Sequence, residues 1–132
     1  MPAAERRVAL LAVGALALAP LALRCRPPHQ LLPRALARRR AGAVAPARAL
    51  AVVHGVAGRL PWRSRCLVKA VAAAWVLSRL GERSLVSLAV RPVPGGIEAH
   101  AWAVAGGVAI DGPVTDDWQV VARWPVPFAA TT

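Results

Sequence analysis

Two adjacent glycines constrain the second half of this chain more than any other feature. Gly106-Gly107 separates two strand-like runs, Ile97 to Ala105 and Val108 to Asp111. A Gly-Gly pair in that position is a two-residue hairpin signal, because both central residues of the tight primed turn need positive φ. The turn fixes a register. With Ala105 opposite Val108, Val104 pairs with Ala109, Trp102 with Asp111 and His100 with Pro113. Side chains alternate along a strand, so His100, Trp102 and Asp111 share one face. His100 and Asp111 become diagonal cross-strand neighbours, close enough for a side-chain hydrogen bond.

The segment before the hairpin reads as a helix and a strand. Leu67, Ala70, Val71, Ala74, Trp75, Val76 and Leu77 form a broad apolar face, and Ala72 to Ala74 raise helix propensity. Ser64 is the expected N-cap, which makes Cys66 a first-turn residue. Gly81 after Arg79-Leu80 is the expected stop. Ser84 to Val90 is then a strand, closed by Arg91-Pro92-Val93-Pro94-Gly95-Gly96. A thiol at a helix N-terminus, beside Arg63, Arg65 and Lys69, sits where positive potential favours the thiolate. Thiolate, imidazole and carboxylate are the parts of activated-thiol chemistry: one attacks a carbonyl, one carries the proton, one orients the ring. Singly, each has a plainer role. Cys66 serves as a small core residue, His100 beside Trp102 as a structural histidine, and Asp111 before Gly112-Pro113 as a turn former.

The chain has 132 residues, enough for one domain with a modest core, and 57% are hydrophobic. Its charge is +11, and Lys69 is the only lysine. This excess, with the heavy Ala, Val, Gly and Pro usage, fits either a solvated surface shaped by codon bias or a docking surface for acidic partners or headgroups. Nucleic acid is not expected, since aromatics are 5% and do not interleave with arginines as a stacking platform requires. Two cysteines, Cys25 and Cys66, make no disulfide framework, and His29, His54 and His100 lack zinc-site spacing. No metal and no cofactor is expected.

The first third is read as helical. Arg6-Arg7 precede Val8 to Leu23, an uncharged run of 16 residues with Pro20 near its end. This is short for a membrane span, and Ala17-Leu18-Ala19 offers a small-x-small cleavage site. Two readings stay open: a helix held on the protein or at an interface, and a signal or anchor. Arg24-Cys25-Arg26-Pro27-Pro28 stops the helix. Leu31, Leu32, Ala35 and Leu36 then predict a short amphipathic helix, followed by Arg38-Arg39-Arg40 and a loop from Ala41 to Pro46. Leu50, Val53 and Ala57 predict a further helix ending at Gly58. The division is residues 1–58, a helical region, and 59–132, a compact core.

The stretch from Leu60 to about Pro125 resembles the transglutaminase-like cysteine proteases that act as leader peptidases in lasso-peptide biosynthesis. The resemblance lies in Leu60-Pro61-Trp62-Arg63-Ser64-Arg65-Cys66-Leu67, Leu80-Gly81-Glu82-Arg83, Val90-Arg91, Ala99-His100-Ala101-Trp102 and the hairpin to Ile110-Asp111. Family members often carry Val-Glu after His-Ala-Trp, where this chain has Ala103-Val104. The resemblance implies an α+β fold, a helical N-terminal part followed by a transglutaminase/papain-like core with the cysteine on a helix N-terminus packed on a small antiparallel sheet. It implies a catalytic Cys66-His100-Asp111 triad that removes the leader from a ribosomally made precursor. Trp62 and Trp102 are the residues expected against substrate. The backbone N–H of Cys66 is the natural oxyanion donor. Implied partners are the precursor leader peptide, a separate leader-recognition protein and an ATP-dependent macrolactam synthetase. The first 60 residues have no sheet-forming run and do not read as that recognition module. The implied location is cytoplasmic, with membrane contact through residues 8–23 left open. Two competing functions remain: a small basic membrane-associated or binding module with Cys66 purely structural, and acyl transfer by the same three residues.

Overall fold

A computed structural model describes residues 3–38, 44–110, 112, 115 and 117–127. The first helix, α1, runs Ala3–Cys25 and passes through Pro20 before ending at the Pro-rich stop. A single turn, α2, covers Pro28–Leu31, and α3 covers Pro46–Arg59. The fourth helix, α4, is Cys66–Arg79. Four strands follow: β1 Ser84–Val93, β2 Gly96–Ala105, β3 Val108–Ala109 and β4 Gln119–Val126. They form one antiparallel sheet in the order β3-β2-β1-β4, so the chain leaves one edge after β3 and returns at the other.

The helices α1, α3 and α4 share one apolar cluster with the sheet. Val8, Ala12, Leu16 and Ala19 of α1 meet Leu50 and Val53 of α3 and Val71, Ala72 and Val76 of α4, with Ala103 and Ala105 of β2 beneath them. Arg48 of α3 also pairs with Glu5 of α1. A second cluster joins Leu32, Ala70, Ala74, Val86, Ala101 and Val126. The end of α4 is closed by a Schellman motif. Gly81 adopts φ 79°, its N–H reaches the Ser78 carbonyl, and the Glu82 N–H reaches that of Leu77.

Three local expectations are corrected. The helix predicted over Leu31 to Leu36 is only the turn α2. Leu32 is extended (φ −72°, ψ 136°) because the following Pro33 disfavours the helical conformation before it. The segment is instead strapped along α4: the Trp75 indole N–H donates to the Leu31 carbonyl at 2.7 Å, and the Ala37 N–H to that of Ser78 at 2.8 Å. Ser64 does not cap α4. Arg65 occupies the N-cap, with no side-chain cap bond, and Ser64 Oγ is buried without a hydrogen-bond partner. Finally, β1 does not stop at Val90 but runs to Val93, paired with β2 throughout. Pro92 is tolerated because β4 pairs with β1 only as far as Val90↔Gln119, so among the described residues no strand faces Pro92 on that side and a missing N–H costs no ladder bond.

The hairpin register agrees with the sequence reading where it is described. Val104 pairs with Ala109 and Ala105 with Val108, across Gly106 (φ 58°) and Gly107 (φ 75°). The expected partners of Trp102 and His100, Asp111 and Pro113, lie outside the described residues.

Candidate active site

Pleating divides β2 into two faces. Ala101, Ala103 and Ala105 are buried toward the helices, while His100, Trp102 and Val104 project from the other side. The half-buried Cys66 begins α4 and packs against the cluster that contains Ala101. Its sulfur accepts a hydrogen bond from the Ala101 backbone N–H at 3.4 Å. That N–H is available because β3, as described, pairs only with Val104 and Ala105. The structure therefore brings Cys66 to the strand that carries His100, at the residue between His100 and Trp102.

The His100 ring sits in an aromatic bracket on the outer face. Trp102 stacks on it with centroids 5.8 Å apart and planes at 24°, and Trp118 leans on it at 5.7 Å and 50°. Opposite His100 in the sheet stands the fully buried Ala89, whose small side chain leaves room for the rings. Trp102 is 8% exposed, so in this conformation it is wall rather than open contact surface. Trp62 is the opposite case, 40% exposed in the loop before α4. Asp111, the third predicted member, lies outside the described residues. Both Cys25 and Cys66 are free thiols.

What holds Trp118 beside His100 was not read from the sequence. Arg91 lies over the Trp118 ring, 4.6 Å from its centroid, and its guanidinium also bonds Glu98 at 3.1 Å and Asp117 at 3.3 Å. The Glu98 hydrogen bond raises the Arg91 pKa above its ordinary value. The Thr115 hydroxyl holds the Asp117 carboxyl below the usual carboxylate range, aided by Arg91. The signal was present in the sequence: Arg91 and Glu98 face each other across the β1–β2 hairpin. It was hidden by ending the strand one residue before Arg91.

Residues 8–123 match the family model of the transglutaminase-like superfamily. The chain belongs to that superfamily. The match takes in α1 and α3 as well as α4 and the sheet. No curated protein and no solved structure matches the chain.

Proposed function

We propose that this protein is a cysteine peptidase that removes the leader from a ribosomally made lasso-peptide precursor. The superfamily includes cysteine proteases and acyltransferases, and both use an activated thiol. The observation that carries the reading is the Cys66 sulfur lying 3.4 Å from the Ala101 N–H, within the His100-Ala101-Trp102 strand. The fit of the sequence motifs around Cys66 and His100 to leader peptidases supplies the substrate class.

In this mechanism the His100 ring, which leaves β2 on the face away from the helices, turns about the strand edge to take the proton from the Cys66 thiol, and the sulfur attacks the carbonyl carbon of the bond joining leader and core. The tetrahedral oxyanion is met by the Cys66 backbone N–H at the head of α4. As the C–N bond breaks, His100 returns the proton to the departing core amine. Water, deprotonated by His100, then hydrolyses the thioester, releasing the leader carboxylate and the free thiol. Asp111 is assigned the orienting role on His100. The freed core amine goes to an ATP-dependent macrolactam synthetase, and leader capture belongs to a separate recognition protein.

The test is incubation with a lasso precursor and its recognition protein, read by mass spectrometry. The expected products are leader and core, each intact, with hydrolysis adding one water. Cys66→Ala should end cleavage while the circular dichroism spectrum is unchanged; cleavage by that variant refutes the proposal. An amide-linked leader adduct in place of free leader would reassign the chain to acyl transfer.

A second reading concerns where the chain works. α1 is long and apolar enough to cross a membrane. One face is buried in the core, yet Leu10 (74%), Leu18 (61%) and Leu21 (59%) stand exposed on another. Exposed Arg6, Arg24 and Arg26 flank them. That pattern suits an interfacial helix on an anionic bilayer, its core face still on the protein. Flotation with anionic but not zwitterionic vesicles is expected, and loss of flotation in a Leu18→Gln, Leu21→Gln variant. Equal flotation by that variant counts against the α1 seat.

A further inference from the structure

We propose that the cleft beside the head of α4 is a subsite for an acidic side chain of the substrate. This rests on the peptidase reading and adds a specificity to it. The cleft encloses about 630 Å³ between the C-terminal half of α3 and the loop that enters α4. That volume is in the range of small-molecule sites and holds a side chain with its flanking backbone and water. Its position follows from the chain: Ser64 is two residues before Cys66, and Lys69 is one helical turn beyond it, on the adjoining face. Cys66 itself does not line the cleft, so an occupant is placed by the residues on either side of Cys66 in the chain and reaches the sulfur through the substrate backbone.

The chemistry of its walls selects the occupant. Arg63 and Lys69 contribute fixed positive charge, and His54 adds an imidazole. No carboxylate is among the described residues that line it. Guanidinium and ammonium groups are donors with no acceptor, so the complementary group is an oxyanion. The planar guanidinium fork favours a carboxylate, which it can bind through two parallel N–H···O bonds. Trp62, exposed on the same wall, offers a flat apolar surface for the methylenes of Asp or Glu.

Binding is tested separately from cleavage, using the Cys66→Ala protein labelled for NMR at its tryptophan indoles. The probes are N-acetyl-aspartate methylamide, N-acetyl-asparagine methylamide and N-acetyl-alanine, which carries its carboxylate at the chain end. The aspartate probe should move the Trp62 indole signal to saturation, at least tenfold more tightly than the asparagine probe. Arg63→Gln with Lys69→Gln should remove that preference while the remaining indole signals stay in place, and Arg63→Lys should keep part of it. Equal affinity for the aspartate and asparagine probes overturns the subsite. Tighter binding of N-acetyl-alanine overturns the side-chain assignment. Cleavage of precursor without probe discrimination refutes the subsite alone, whereas discrimination without cleavage of any precursor refutes the peptidase reading and leaves an acid-binding cleft.

Discussion

Shortening one leucine of α1 tests whether that helix belongs to the folded domain or merely precedes it. Leu16 is 0% exposed and lies in the cluster that joins α1, α3 and α4. Leu→Ala in a core costs about 2–5 kcal/mol, depending on how far the surroundings close over the cavity. That cluster is rich in alanines, among them Ala49, Ala72 and Ala73, whose single methyl groups offer little to fill a cavity. The cost should therefore sit in the upper part of that range, roughly 3–4 kcal/mol. At about 2.1 cal/mol/K per residue, unfolding this chain carries an entropy near ~0.28 kcal/mol/K, so the melting temperature should fall by roughly 11–14 °C. Leu18, two residues on and 61% exposed, is the matched control. Leu18→Ala should stay within about 0.5 kcal/mol, or ~2 °C. The assay is thermal unfolding of both variants by circular dichroism, without detergent or lipid. Two superimposable melts would refute the packing argument and return α1 to the signal or anchor reading.

Three other perturbations probe the sheet and the site. Gly106 has φ 58° and an added Cβ would lie 3.4 Å from Pro46 Cβ, so Gly106→Val should cost about 1–2 kcal/mol or more while Gly106→Asn costs less; equal melting temperatures would discredit the turn assignment. Trp118→Ala should shift the His100 ring protons and lower stability by about 1–2 kcal/mol, the sum of lost ring and cation contacts, with Trp118→Phe intermediate; unchanged His100 resonances would contradict the bracket. Asp117 titrates below the ordinary carboxylate range, held there first by the Thr115 hydroxyl, so its contribution is present above that range and is lost as pH falls through the lower folded value. Thr115→Val should move the Asp117 titration, followed by carboxyl NMR, upward toward the ordinary value, and no movement would exclude the hydroxyl as the main cause.

Local signals in the sequence carried far, and their failures share one cause. Glycine and proline marked the end of α1 at Cys25, the end of α4 and the β2–β3 turn, because each imposes its backbone conformation on its own. The register at Val104 and Ala105 followed from the turn alone. Three readings depended on neighbours that sequence does not display. Ser64 has the chemistry of a cap, but its hydroxyl is turned into the protein. Leu31 to Leu36 have helical spacing, but Pro33 and the pull of Trp75 and Ser78 hold the segment extended along α4. Pro92 reads as a strand breaker, yet β4 ends short of it. The bracket around His100 was equally out of reach, since Trp118 arrives from beyond β3 and its hold on Arg91 is tertiary.

The alanine richness that looked like codon bias has a structural use at the one place where the sulfur meets the sheet. Where α4 crosses β2, both surfaces are built from alanine: Ala70, Ala73 and Ala74 on the helix, Ala101, Ala103 and Ala105 on the strand, all nearly inaccessible. Side chains one carbon long let a helix lie closer to a sheet than leucine or phenylalanine would, because the separation of packed layers follows the size of the groups between them. The first residue of that helix is carried inward by the same distance. A sulfur can accept from the Ala101 N–H only because its helix is close and because the short β3 has left that N–H without a strand partner among the described residues. The two conditions are independent, one set by composition along α4 and β2 and the other by where the hairpin stops. Their coincidence at the residue between His100 and Trp102 is what distinguishes Cys66 from Cys25, which stands exposed at the end of α1.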